Sequence, residues 1–346
     1  MSHAPGSTAI IGAGIAGLAC ARHLQAAGGS VTLFDKARGP GGRMASRRLG
    51  EAVVDLGAQF FSVRDAAFRS EIERWQRAGV VARWPTSSWQ AGPEGWSRHD
   101  DGRPRWCGAP RMSAVTRHLA HGLELRCATR IASLDHREDR WWLVDAAGQR
   151  QGPFAWVVIA TPAPQARALL AAHEPALADA CDQVIQRPCW TGWVLFDRPL
   201  PSLPDVEDGW QALRLAEGPL RFVARNQTKP GRDDQGESLS LLARLEWSRV
   251  HLEEAAEAVA CQLLDAFRDS LPTGTRLPEP VARGAHRWRY AQPDVFAAGE
   301  PVNRDYRRAS TGLALCGDAW RGPRIEDAWL SGHHLGEALV HQPTLT

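Results

Sequence analysis

Lysine and tyrosine are nearly absent from this 346-residue chain: Lys36 and Lys229 are the only lysines, and Tyr290 and Tyr306 the only tyrosines, against 15 tryptophans. A site built on several lysines or on a tyrosine cage is excluded, so any aromatic wall must draw on tryptophan. No uncharged apolar run reaches the ~20 residues a membrane-crossing helix needs, and no basic stretch precedes an apolar one near residue 1, so neither a span nor a secretory leader is expected. Cys20, Cys107, Cys127, Cys181, Cys189, Cys261 and Cys316 form no C-x-x-C pair and no zinc-ligand spacing. They read as reduced thiols of a cytoplasmic protein without a metal. Acidic and basic residues nearly cancel, 39 against 41, for a net charge of +2. No general affinity for nucleic acid or a membrane surface follows from such a balance.

Glycine is plentiful and placed to purpose. Gly12-Ala13-Gly14-Ile15-Ala16-Gly17 lies between an apolar run at 8–11 and a helix-like segment at 15–27, and a second apolar run at 31–34 ends on Asp35. Strand, tight turn, helix, strand and carboxylate form the opening of a dinucleotide-binding βαβ unit. Gly12 allows the turn, Gly14 lets backbone approach a pyrophosphate, and Gly17 permits close helix–strand packing. The free N–H groups at the helix start, Ala16 among them, then face the anion. Asp35, 18 residues after Gly17, can accept from both ribose hydroxyls and would repel a 2′-phosphate, which favours FAD or NAD over NADP. Lys36 follows beside it.

Buried apolar strands are expected at 155–160 and 312–316, bracketing a middle of antiparallel character. Helices are expected at 66–78, 111–121, 165–172, 252–269 and about 327–339. Segments 123–127, 131–136 and 141–145 read as a β-meander leading into 155–160, and 84–110 reads as loops and short strands. The predicted architecture is α/β: a discontinuous Rossmann-like FAD-binding domain (1–83, 105–165 and 300–346) with an inserted, mainly antiparallel-sheet substrate domain (84–104 and 166–299).

Further candidates lie at turns and strand ends. Gly41-Gly42-Arg43 can pass over a phosphate, with Arg43 in bidentate contact, or can simply be a solvated turn. Gly57, Ala58 and Gln59 form a small-residue turn that can approach a flat ring. Thr161 ends a buried strand at the edge where open α/β sheets bind ligands. Gly317-Asp318 ends another; Asp318 can accept from a ribityl hydroxyl or cap the helix that follows. Ile131, at the start of an expected strand, and Ile325, just ahead of the last expected helix, complete the candidate cofactor contacts.

Together these positions resemble the GG-doublet branch of FAD-dependent oxidoreductases, which includes the flavin amine oxidases. The resemblance implies FAD, held non-covalently. Arg225-Asn226-Gln227-Thr228-Lys229-Pro230, His286-Arg287-Trp288-Arg289-Tyr290-Ala291, Glu326-Asp327-Ala328-Trp329-Leu330-Ser331-Gly332 and Phe34-Asp35-Lys36-Ala37-Arg38-Gly39 are similar to bacterial renalase-type flavoproteins. That likeness implies oxidation of NAD(P)H isomers reduced at position 2 or 6 of the nicotinamide. Hydride passes to flavin N5, and O2 then reoxidises the flavin, giving NAD(P)+ and hydrogen peroxide. The implied partners are a small dinucleotide substrate and O2.

A dihydronicotinamide is already a hydride donor, so positioning outweighs base strength. His286 and Asn226, with Arg225, are the candidates for orienting carboxamide and ribose; Trp288, Tyr290 and Trp329 are candidate walls around the ring. An amine oxidase is the alternative. It commonly places a water-bridged lysine near N5, and with Lys36 beside the adenosine acid that role falls to Lys229 or to no residue.

Overall fold

The computed structural model describes residues 6–85, 87–99, 101–204, 206, 209–232, 236–294 and 305–341. The chain divides into two compact units, each assembled from separated stretches. Met1–Gly42, Thr116–Gln186 and Gln292–Thr346 contribute the first, and Arg43–Val115 with Arg187–Ala291 the second.

The first unit is built on Thr8–Ile11, whose four residues are all buried. Val31–Phe34 and Trp156–Ile159 pair with it in parallel, one on each side. The full sheet runs Arg307–Arg308, Leu313–Leu315, Trp156–Ile159, Thr8–Ile11, Val31–Phe34, Glu124–Arg126, and only its two-residue edge strand is antiparallel. Uniformly buried apolar strands are what a sheet covered on both faces requires. One face packs Ile11, Phe34, Val157, Ile159 and Leu315 against Ala166 and Leu170 of the helix Ala163–Leu170. Each such side chain taken fully out of water contributes about 1.5–3 kcal/mol. The helices Ile15–Ala26 and Ile325–Val340 pack together so closely that a Cβ on Gly332 would stand 2.0 Å from the Ala16 carbonyl oxygen.

A seven-stranded sheet forms the second unit, in the order Ala282–Asp294, Ile185–Phe196, Glu237–Ala243, Leu220–Arg225, Ala212–Leu215, Ser88–Gly92, Gly95–Arg98. Register separates its faces. Val194 lies opposite Leu239, Leu241 opposite Val223, and Val223 opposite Leu213. These residues form a dry core with Val259, Leu263 and Phe267 of the amphipathic helix Ala256–Asp269. On the other face Trp193 lies opposite Ser240, Ser240 opposite Ala224, and Phe222 opposite Arg214. That face mixes polar, small and aromatic side chains, and it carries the site.

The α/β architecture with a Rossmann-like portion and antiparallel sheets is as expected, but several boundaries move. Segment 123–127 does not open a meander: Glu124–Arg126 extends the parallel sheet beside Val31–Phe34. The meander is Ile131–Arg137, Arg140–Asp145 and Arg150–Phe154. Its third strand contains the turn-like pair Gly152-Pro153; the strand lies at the sheet edge, where proline need not donate to a ladder. The helix expected over 252–269 begins at Ala256, after a separate short helix, Leu245–Val250. Residues 43–83 and 105–115, expected with the nucleotide domain, cluster with the second unit, and 166–186 with the first.

Candidate functional site

In the first unit the glycine turn is built as a cradle. Gly12 sits at φ +110°, and a Cβ on Gly17 would stand 2.1 Å from the Gly12 carbonyl oxygen, so both positions demand glycine. A Cβ on Gly14 would meet nothing within 4 Å, which leaves open space over the turn. The helix Ile15–Ala26 starts there with no side-chain cap and no acidic residue in its first turn. Its positive end is thus available to an anion. Gly42 closes over the same turn, with its virtual Cβ 3.5 Å from the Gly14 Cα, and the Gly41 N–H donates to the Ala13 carbonyl at 3.0 Å. Asp35 accepts from the Ala13 N–H through Oδ2 and from the Ala37 N–H through Oδ1, both at 2.7 Å. Those bonds fix the carboxylate and leave it further lone pairs. Lys36 is exposed next to it.

The first unit also holds the remaining candidates of this half of the chain. Thr161 has a buried Oγ1 with no hydrogen-bond partner, and its methyl lies 3.4 Å from a Cβ placed on Gly12. Gly317 adopts φ +137° and donates its N–H to Ser331 Oγ at 2.8 Å; Asp318, buried, opens the short 3-10 turn Asp318–Trp320. Ile131 is buried at the start of its strand, and Ile325 begins the last helix. Trp329 lies within that helix, buried and stacked on His333 with ring centroids 4.7 Å apart.

In the second unit the turn after Ala52–Asp55 holds a dense polar cluster. Asp55 is fully buried, and its Oδ2 accepts from Lys229 Nζ at 2.8 Å and Arg232 Nη2 at 2.5 Å. Its Oδ1 accepts from Ser46 Oγ at 2.7 Å and from the Met112 N–H at 3.1 Å. Burial alone would raise this carboxyl; Lys229 and Arg232 outweigh it and hold the group well below the usual range. Burial likewise pushes the Lys229 ammonium down to about 8, against the pull of Asp55 and with Arg232 adding to the fall. Lys229 donates also to Gln59 Oε1 at 2.9 Å and Asn226 Oδ1 at 3.3 Å. Asn226, fully buried, donates to Ser240 Oγ at 2.9 Å and accepts from Arg232 Nη1 at 2.9 Å.

Gln59 is buried and donates to the carbonyls of Asp55 (2.8 Å) and Gly57 (3.0 Å). Gly57 packs so tightly that a Cβ would stand 2.0 Å from the Arg43 carbonyl oxygen, which also accepts from the Ala58 N–H at 3.0 Å. Arg43 donates through Nη1 to the Ala291 carbonyl at 3.1 Å.

The edge strand Ala282–Asp294 presents two different faces. Arg287 and Arg289 bind Glu253 on one side, at 2.8 and 2.6 Å. Alternation sends His286, Trp288 and Tyr290 to the other. Trp288 packs with Trp193, Val54 and Leu56, and its Nε1–H donates to the Leu56 carbonyl at 2.7 Å. His286 meets Trp288 edge to face at 4.3 Å between centroids. Burial, followed by the nearby Arg47, lowers the His286 pKa, so its imidazole is neutral at pH 7.

The second unit therefore brings His286, Trp288, Tyr290 and Asn226 to one sheet face. Arg225 does not join them. It lies on the opposite face, paired with Glu237 at 3.0 Å through Nε, donating to the Trp210 carbonyl at 3.0 Å and stacked over the Trp210 ring. Asp55, the ion-pair partner of Lys229, and Ser46 and Arg232, which also bind Asp55, were not among the expected site residues. Their pairing spans up to 177 residues of chain, and the one sequence signal was the rarity of lysine.

A model of the family described as flavin containing amine oxidoreductase matches residues 78–335. The chain belongs to that family. Residues 10–70 match an NAD(P)-binding Rossmann-like domain. A hydroxyneurosporene desaturase of Rubrivivax gelatinosus is 49% identical over 83 residues, covering 21% of this chain and only 16% of that protein's length. Cyclohexylamine oxidase from Brevibacterium oxydans IH-35A shares the fold with a TM-score of 0.73 at 14% identity, over 97% of this chain and 99% of that one. Putrescine oxidase bound to putrescine gives a TM-score of 0.71 at 13% identity, over 97% and 99%. At these identities the likeness is one of fold.

The protein is thus a flavin-dependent oxidoreductase with FAD as its cofactor. The first unit fits that group. An uncapped helix start, open space over Gly14, a fixed acceptor at Asp35 and the buried, unpartnered Thr161 hydroxyl are donors and acceptors of the kind a dinucleotide requires.

Proposed function

We propose that this enzyme oxidises dihydronicotinamide isomers, the 2- or 6-dihydro forms of NAD(P), releasing NAD(P)+ and hydrogen peroxide. The observation that carries the reading is the state of Lys229. Its three ammonium protons go to Asp55, Gln59 and Asn226, which leaves none for a water or an amine. The other lysine, Lys36, is exposed beside Asp35. A reaction that needs a lysine at the reacting atoms is therefore poorly served, whereas a ready-made hydride donor needs none. FAD, when bound, supplies the hydride acceptor and passes the electrons to O2.

The chain's own residues orient and enclose. Neutral His286 offers one donor and one acceptor to a carboxamide. Trp288, locked by its bond to Leu56, gives a flat apolar wall, and Tyr290 extends the same face. Asn226 acts as a positioning residue: it ties Lys229, Arg232 and Ser240 to the turn at Asp55. Arg225 serves the core edge.

Family membership and the amine oxidases of like fold favour an amine substrate as the second reading. Peroxide formation in air, measured with borohydride-generated NADH and NADPH isomers, ordinary NADH and a panel of primary amines, separates the two. Turnover of the isomers alone is expected. Turnover of an amine, with none of the isomers, overturns the proposal.

A further inference from the structure

The polar face of the second unit carries a second cluster, on the strand Ala212–Leu215. Arg214 lies directly opposite Phe222 on one neighbouring strand and Gln90 on the other, with its guanidinium 6.0 Å from the Phe222 ring centroid. Phe222 contacts Phe60 with ring centroids 5.6 Å apart, and Arg105, which is only 7% exposed, has its guanidinium 5.2 Å from the Phe60 ring centroid. Trp84 continues the patch at 6.3 Å from Phe60.

Charge at this cluster is not balanced. Arg105 has Asp101 Oδ1 at 3.2 Å, but the Arg214 guanidinium forms no hydrogen bond or ion pair among the described residues, and its Nε is buried. Each guanidinium lies in the other's field, and among the described residues Asp101 is the carboxylate that offsets them. Half-burying an unsatisfied guanidinium beside a second one is costly. A ligand that brings negative oxygens relieves that cost, and planar guanidinium forks suit phosphate oxygens.

We propose that Arg105 and Arg214 hold the phosphates of the adenylate half of the dinucleotide substrate, beside the Phe60–Phe222 surface. The identity of that substrate rests on the function proposed above; the anion site itself does not. Arg214 stands four strand spacings from the edge strand bearing His286 and Trp288, or roughly 19 Å at ~4.8 Å per strand. The Arg214 guanidinium lies over Phe222, on the strand one position nearer that edge, so the pair stands at the phosphate-bearing stretch of an extended dinucleotide, away from its nicotinamide.

Two measurements on the FAD-loaded protein test this. Calorimetric titration with ADP, adenosine, inorganic pyrophosphate and succinate reads the site directly. ADP is expected to bind the wild type and to bind Arg214→Met about tenfold more weakly, the size of one lost charge-assisted hydrogen bond. Adenosine is expected to bind weakly to both. Equal ADP affinity in the two proteins overturns the site; tighter binding of succinate than of ADP overturns its phosphate assignment, and pyrophosphate matching ADP removes the nucleotide from it. In the second, KM for dihydro-NADP isomers is compared with KM for the corresponding dihydronicotinamide riboside, in wild type, Arg214→Met and Arg105→Met. The advantage of the phosphate-bearing substrate is expected to shrink in both variants, with FAD content and circular dichroism as controls on folding; Arg214→Lys, which keeps the charge, covers a failure of Arg214→Met to fold. Isomer turnover with an undiminished advantage sinks the site and spares the function. ADP binding lost in the variant, with no isomer turned over by the wild type, sinks the function and spares the site.

Discussion

Asp55 shows how a single residue sets the chemistry of its surroundings. A carboxylate with no exposure, held between Lys229 and Arg232, is tolerable only because every polar atom around it is matched. Replacing it as Asp55→Asn strands two buried cations, and a loss of about 3–5 kcal/mol is expected in urea denaturation. The pH dependence has a definite sign. Its folded carboxyl titrates below the ordinary 3.8, so the stabilisation is complete above that pH and is lost as pH falls through the folded value. Wild-type stability is expected to drop more steeply than that of the variant between ~pH 5 and ~pH 2; parallel acid limbs contradict this. Lys229→Met is expected to lower the urea midpoint while leaving flavin reduction by the isomers close to wild type. A folded variant that has lost flavin reduction places Lys229 back at the reaction. Little of this cluster was legible in the sequence. The fingerprint glycines and Asp35 declare themselves through fixed local spacing, but Asp55, Lys229 and Arg232 meet only after some 170 residues of intervening chain have folded. Arg225 illustrates the converse. Its neighbour Asn226 points to the polar face, and strand alternation sends Arg225 to the other.

At the scale of elements, the tightest constraint is the crossing of Ile15–Ala26 with Ile325–Val340. Gly332 meets the Ala16 carbonyl, and Gly336 the His23 side chain, at distances no Cβ can occupy without a shift. Gly332→Ala is expected to cost ~1–3 kcal/mol or more through forced separation of the two helices. Because Ala16 opens the helix beside the glycine turn that we propose holds FAD, the substitution is also expected to lower the flavin retained on gel filtration. Unchanged melting temperature and flavin content count against this close packing. Periodicity found the long helices and buried strands because their patterns are local. It assigned 123–127 to the wrong sheet, since pairing partners are non-local, and it passed over Arg150–Phe154 because Gly152-Pro153 imitates a turn. The strand Ala282–Asp294 kept its secret differently: alternating Arg and aromatic residues declare two faces, but only Glu253 on one and Leu56 on the other reveal which face is free for a site.

The whole molecule is a discontinuous pair of units, with a dinucleotide cradle in the first and, in the second, a sheet that is dry on one face and polar, aromatic and cationic on the other. Among the described residues no helix is long and apolar enough to cross a membrane. Family membership establishes a flavin-dependent oxidoreductase, and the saturated Lys229 favours a substrate that arrives ready to give hydride. Anaerobic stopped-flow mixing of the yellow holoenzyme with each candidate donor reads that step alone. Rapid loss of flavin absorbance with 2- or 6-dihydro-NAD(P), and formation of one NAD(P)+ per flavin, is the expected result. Bleaching by putrescine, cyclohexylamine or another amine, with the isomers inert, contradicts it.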